Sequence, residues 1–411
     1  MVLPNQLVLL VGEEHSLPFV TLQLAIDSGS WRDPQGKEGL SHLTAKSLPL
    51  GTSKRNATTI NEDLDFMGAS LQASSGRDTA TLGLRILKKD IHKGLDLFFE
   101  VLLQPTFPEE EIRREVEKTL ARLQASEDQP DEVAEKAFQK TLFQTSPYAH
   151  PVEGTKESIS RIDRDSILTF YRSTYHPNHS ILTVVGDVTA DEVKAMLLPR
   201  IQNWPAGTIS EVPFEPTFAK DRQTVKIDRP ITQANIILGH AGVDRKNPDF
   251  YRLSVMNYIL GGGGFSSRLG EEIRNKRGLA YSVGSFFDPG KHPGSFQVAL
   301  QTKNASAREA ISLILQQMER IQKEPVSEKE MEGAKKYLIG SFPMRFDTQA
   351  KLVSFLTQVE YYGLGLDYPQ KYPSLIQSVT REEILRVAKT YLHPDRYTLV
   401  VVANLKEAGL E

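Results

Sequence analysis

Three features of this 411-residue chain have the residue types and spacing to do chemistry: one histidine in a helix-like stretch, an arginine and a tyrosine seven positions apart, and four consecutive glycines. The histidine opens a frame that reads His42, Leu43, Thr44, Ala45, Lys46. A helix carrying His-x-x-Glu-His there would hold zinc between two imidazoles one turn apart, and its glutamate would activate the metal's water. Ala45 stands in place of that base and Lys46 in place of the second imidazole. A protonated lysine has no lone pair to offer a metal, so the frame predicts no zinc in this chain. A lone histidine on an apolar helix can also be a packed or capping residue, and His42 admits that reading.

The glycines Gly261, Gly262, Gly263 and Gly264 follow a helix expected to end near Leu260, and a short charged helix over 271–277 comes after them. They do not make a phosphate loop, because no Lys-Ser/Thr follows and no G-x-G-x-x-G opens a βαβ unit. Such a run lets backbone approach a bound chain closely, which suits an extended peptide substrate. Arg274 lies in the last turn before the capping Gly278, and taken alone it reads as a surface cation complementing the helix dipole, with Tyr281 a strand aromatic. His176 and His179 sit at a helix end beside proline, and His393 repeats His176, so these histidines read as structural turns.

A net charge of −3 with 25% charged residues gives no basic patch for nucleic acid or an anionic membrane. The absence of cysteine removes disulfides, thiol nucleophiles and thiolate metal sites, and fits a reducing cytoplasm or an oxidising periplasm alike. No apolar run reaches the roughly 18 residues that a membrane span needs. The start of the chain has no basic region before an apolar segment, so no signal peptide is expected; the periplasm is favoured only if a leader has been trimmed.

The elements that must position these residues come twice. Ile167 to Pro177, followed by the strand-like Ser180 to Val185, reappears as Ile384 to Pro394 followed by Tyr397 to Val402, and His176 and His393 lie 217 positions apart. Glu111 and Glu330, each at an acidic helix start, lie 219 apart. A near-constant offset argues for duplication. Alternating β-branched segments at 19–26 and 234–240, a hairpin over 70–86, and helices with apolar spacing of three and four place the chain in the α+β class. The three prolines of 205–216 mark a linker, giving domains at 1–212 and 213–411.

The surroundings of His42 resemble the insulinase/pitrilysin peptidases, whose inverted zinc motif sits between a Gly-Leu pair and a Gly-Thr pair, as Gly39-Leu40 and Gly51-Thr52 do here. That family takes its third zinc ligand, a glutamate, from a later helix; 76 positions beyond Lys46 stands Arg122. The resemblance therefore implies a degenerate zinc site, His42, Ala45, Lys46 and Arg122, with no cofactor in this chain. The family's second domain donates an arginine and a tyrosine seven apart, and Arg274 with Tyr281 keeps both. A tyrosine hydroxyl can stabilise the oxyanion formed on a peptide carbonyl, and an arginine fork can hold a neighbouring carbonyl or carboxylate. The resemblance thus implies a zinc-free subunit of a heterodimer, similar to the divided labour of mitochondrial processing peptidase, whose homologous partner supplies the zinc. The alternative is an inert scaffold or peptide-binding protein, like the core subunits of the respiratory cytochrome complex. The fold implied is two homologous α+β domains, each a mostly antiparallel sheet packed with helices.

Overall fold

The computed structural model describes residues 1–212 and 217–411; residues 213–216, where the expected second domain begins, lie outside the described residues. Two five-stranded sheets are built on one plan. The first holds β1 (Val8–Glu13), β2 (Phe19–Ile26), β3 (Ser70–Ser75), β4 (Ala80–Leu87) and β5 (Ser180–Gly186), in the spatial order β1-β5-β2-β4-β3. The second holds β6 (Gln223–Asp228), β7 (Gln233–Ala241), β8 (Ala280–Asp288), β9 (Ser295–Lys303) and β10 (Thr398–Ala403), in the order β6-β10-β7-β9-β8. Replacing each strand by the one five places later turns the first order into the second. In both sheets only the edge pair joining the first and last strands is parallel, and the other pairings are antiparallel. The duplicated sequence thus folds into duplicated α+β sheets.

Strands β2, β5, β7, β9 and β10 are buried over most of their length because both faces of each sheet are covered there, whereas the edge strands β3, β6 and β8 carry exposed residues. On β2, Val20, Leu22, Leu24 and Ile26 enter the main core of the first sheet together with Leu40, Leu43, Leu95 and Phe98 from the helices Leu40–Ser47 and Ile91–Leu103. The alternate residues face a different helix, Gln349–Tyr361, which packs on β2 and β5. Ser354 donates to Gln23 Oε1 at 3.1 Å, and the buried hydroxyls of Thr183 and Thr357 meet at 2.8 Å. The second sheet has the reciprocal arrangement. Helix Pro130–Phe143 packs on β7 and β10, with the Phe138 ring so close to Gly239 that a β-carbon there would lie 2.8 Å from it.

The halves 1–212 and 213–411 each contain one sheet, yet the compact units are interleaved rather than consecutive. One consists of Met1–Gln124, His150–Pro213 and Pro343–Leu366; the other consists of Ala125–Ala149, Phe214–Phe342 and Asp367–Glu411. Periodicity identifies an amphipathic helix but not which sheet it joins, so the exchange is invisible to a linear reading. A fragment ending at residue 212 lacks the cover for Gln23, Thr183 and Val185. It should bind a hydrophobic dye and melt without a cooperative transition, while adding the peptide 343–366 should restore cooperativity; a sharp, dye-free melt of 1–212 alone would refute this.

The histidines expected in turns serve the fold. The His176 ring covers Gly207, where a β-carbon would come within 2.4 Å of it. His393 packs edge-on to the buried ring of His240 at 4.8 Å, and His240 stacks on Phe296 at 4.9 Å. Nδ1 of His240 donates to the Ala241 carbonyl at 2.8 Å and Nε2 accepts from the His393 amide at 3.2 Å, which fixes a neutral tautomer. Burial pushes its pKa down to about 3. With an unfolded value of about 6.5, the unfolded chain binds a proton that the native chain excludes as pH falls from there to about 3. Stability should therefore drop through that window by up to about 1.4 kcal/mol per pH unit. Denaturant titrations at pH 7, 6 and 5 should give a flatter profile for His240→Gln than for the parent, despite its lower stability at pH 7; equal slopes would count against it.

Candidate functional site

The helix that carries His42 is set by a half-buried carboxylate. Asp33 accepts the backbone N–H groups of Gly39 and Ser41, each at 2.7 Å, satisfying two otherwise unpaired donors at the helix start. Burial raises the pKa of Asp33 well above the usual carboxylate range, against the pull of those two hydrogen bonds. Gly39 has φ +95°, and a β-carbon there would lie 2.6 Å from the Glu153 carbonyl; a β-carbon on Gly154, at φ +79°, would lie 2.1 Å from the Glu38 carbonyl. Two glycines thus let the 151–154 turn rest on the helix entrance. At the far end, Thr52 donates to the buried Glu100 at 2.5 Å, and Arg55 also pairs with that carboxylate. The Gly-Leu and Gly-Thr pairs are accordingly parts of the local scaffold.

That close approach delivers Glu153, which the linear reading missed, to the degenerate zinc position. Its carboxylate pairs with the Arg122 guanidinium at 3.1 Å. His42 is buried, 6% exposed, and its surroundings hold both signs of charge. Burial lowers its pKa; Glu153 and Glu115 pull it upward while Lys46 and Arg122 push it down. Among the described residues no group of three or more His, Asp or Glu side chains is arranged to hold a metal ion. The donor set does not fit zinc: one desolvated imidazole, an alanine, and two cations, one of which occupies the nearby carboxylate. The only motif residue left to signal this neighbourhood in the sequence is His42; the Pro151-to-Gly154 turn that brings Glu153 there resembles any other turn.

Arg274 and Tyr281 are brought together. Arg274 belongs to a π-helical segment, Gly270–Asn275, and Tyr281 to the start of edge strand β8, joined by a turn whose Gly278 has φ +62°. Arg274 Nε donates to the Tyr281 carbonyl at 2.8 Å. The guanidinium lies 3.8 Å from the Phe265 ring centre and 5.6 Å from that of Tyr281, so it is held between two aromatic faces. Tyr281 is 88% exposed and Phe265 63%. Among the described residues neither the Tyr281 hydroxyl nor the Nη groups of Arg274 have a hydrogen-bond partner, which leaves them available to a ligand. Phe265 is the second residue that spacing did not single out, since one aromatic after a glycine run carries no motif of its own.

The glycines divide. Gly261 is buried, and a β-carbon on it would come 2.4 Å from Ser285 Oγ on β8, so its smallness serves packing. Gly262 and Gly264 are exposed, and Gly264 adopts φ +58° with open space around it. The helix before them ends in a π-helical turn over Tyr258–Gly262, a local irregularity common at functional sites.

Because the His42 neighbourhood offers no ligand set, zinc added in excess should leave the unfolding temperature of the purified chain unchanged. A saturable rise lost in His42→Ala would overturn that assignment.

Comparison with known proteins agrees with this geometry. The family described as insulinase (peptidase family M16) matches residues 8–156, and the peptidase M16 inactive domain matches residues 161–338. The non-peptidase homolog YmxG of Helicobacter pylori is 28% identical over 96% of this chain and 91% of its own length. The probable mitochondrial-processing peptidase subunit beta of Arabidopsis thaliana is 22% identical over 98% of this chain and 78% of its own. The crystal structure of the peptidase M16 inactive domain from Pseudomonas fluorescens superposes with a TM-score of 0.91 at 28% identity, covering 98% of this chain and 97% of that one. Matched family descriptions over both halves, one sheet plan used twice and a decayed histidine frame lead to one assignment: the chain belongs to the insulinase family of peptidases, M16.

Proposed function

We propose that this chain is the zinc-free subunit of a heterodimeric metallopeptidase, lending Arg274 and Tyr281 to a homologous chain that supplies the zinc and hydrolyses extended peptides. The observation that carries the reading is an asymmetry. The metal position around His42 has lost its ligands, while the Arg274–Tyr281 pair is assembled, solvent-facing and without partners for its outer polar groups. The name of the Arabidopsis relative, a processing-peptidase subunit, and that of the Helicobacter relative, a non-peptidase homolog, support a division of labour of this kind.

In this reading the neutral Tyr281 hydroxyl donates a hydrogen bond to the oxyanion that develops on the scissile carbonyl. Arg274 keeps its Nε on the Tyr281 carbonyl and turns its Nη pair towards a substrate carbonyl or carboxylate, with Phe265 limiting its swing. The exposed backbone of Gly262 to Gly264 lies alongside the incoming chain. A scaffold or peptide-binding role is the second reading, favoured by one fact: Arg274 already has a structural task in bracing the turn at Gly278.

The purified chain alone should cleave nothing, and addition of its zinc-bearing homologue should produce cleavage. In that complex Tyr281→Phe should lower kcat by roughly 100-fold, in line with loss of about 3 kcal/mol from one oxyanion donor, and Phe265→Ala should give a smaller loss. Parent-like kcat in Tyr281→Phe would remove the tyrosine from the chemistry and favour the scaffold.

A further inference from the structure

The segment 268–277 carries four cations, Arg268, Arg274, Lys276 and Arg277. Three of them are neutralised where they stand: Arg268 pairs with Glu330 at 2.6 Å, and Glu272 takes both Lys276 and Arg277, at 2.6 and 2.7 Å. The other carboxylate of the segment, Glu271, accepts from Asn275 at 2.8 Å. Among the described residues Arg274 is thus left without a carboxylate at ion-pair distance.

The contacts that hold this guanidinium define what is open on it. Nε is engaged by the Tyr281 carbonyl, which closes the side-on edge. That carbonyl is free to accept because the register of β8 on β9 slips between Ala280 and Val283 and leaves Tyr281 in a bulge, outside the ladder. The Phe265 and Tyr281 rings lie over the guanidinium, 3.8 and 5.6 Å away, and obstruct stacking by a ligand. Phe265 is fixed in its turn: Asn275 Nδ2 donates to its carbonyl at 3.1 Å, and a β-carbon on Gly270 would sit 2.1 Å from the Gly264 carbonyl, so the loop rests directly on the π-helical segment. The end-on edge, Nη1 with Nη2, remains, and neither atom is closed to solvent. Two parallel N–H donors on that edge match the two oxygens of a carboxylate, which also neutralises the charge; an amide carbonyl brings one oxygen and no charge.

We propose that Arg274 selects peptides that bring a carboxylate, from an acidic side chain or a chain end, to its end-on edge beside Tyr281. That the ligand is a peptide rests on the function proposed above; that it carries a carboxylate rests on the unpaired guanidinium and the one edge left open on it.

The test titrates the full chain alone with three peptides: acetyl-Ala-Ala-Glu-Ala-Ala-amide, its Gln counterpart, and acetyl-penta-alanine with a free C-terminus. Binding is followed on the backbone amide resonances of the turn from Gly278 to Tyr281, which register even weak association. At least one carboxylate peptide should bind about fivefold more tightly than the Gln peptide, the upper end for an ion pair open to water, and the tighter of the two identifies side chain or chain end as the source. Arg274→Gln should abolish the difference, and Arg274→Lys, which keeps the charge but not the fork, should remove most of it. Tyr281→Phe should leave it intact. Equal affinity for all three peptides, no binding of any, or a carboxylate preference that survives both arginine variants would overturn the proposal. In the complex with the zinc-bearing homologue the same preference should enter through KM rather than kcat. Cleavage without it would reject the carboxylate subsite and leave the subunit role standing; carboxylate binding by the chain alone, with no cleavage on adding the homologue, would do the reverse.

Discussion

Neither sheet can bury its second face with residues from its own half of the chain. The strands alternate side chains between two apolar surfaces, and the surface not served by the local helices needs one from elsewhere. Helix Gln349–Tyr361 closes the first sheet and helix Pro130–Phe143 closes the second, so the polypeptide passes between the compact units five times. This requirement explains the buried Thr183–Thr357 contact, the glycine at 239 and the near-continuous apolarity of β10, whose six residues are all buried. It also couples the stability of each unit to segments distant in sequence, so the halves are not independent modules despite their common plan.

On that scaffold the two candidate positions are built differently. Around His42 an arginine–carboxylate pair and a lysine occupy the neighbourhood of a former metal. At 69% exposure the Arg122 guanidinium adds little stability through its salt bridge. The pair matters for what it prevents, since a carboxylate engaged by a guanidinium and flanked by a second cation is a poor cation ligand. In the other unit the Arg274–Tyr281 pair is braced by Phe265 and by a turn that only glycine adopts comfortably at φ +62°.

Much of the fold could be read in the sequence because its signals are local. The 19–26 alternation became β2, the hairpin turning near 76–78 became β3 and β4, and the acidic starts at Glu111 and Glu330 became helices Glu109–Ser126 and Glu328–Gly340. The repeated His-Pro segments ended helices and began strands in both halves. What escaped was non-local. The helix exchange depends on which sheet an apolar face meets, Glu153 reaches the His42 neighbourhood only because Gly39 and Gly154 permit backbone contact, and Phe265 meets Arg274 through a π-helical irregularity. The Arg274–Tyr281 pair was legible only through the family resemblance, since each residue by itself reads as a helix-end cation or a strand aromatic. The packing duty of Gly261 was not, because it depends on Ser285 across the fold.

The Arg122–Glu153 pair also makes the decay of the metal position hard to reverse one codon at a time. Exchanging Arg122 for a carboxylate alone would set two acids against each other with no ion between them. Supplying an imidazole at 46 alone would leave the frame without its base, and supplying a glutamate at 45 alone would place a charge on a position with no exposure to water. Two of these steps are uphill and none confers anything until the others are made, so the missing ligand set behaves as a ratchet that has already turned.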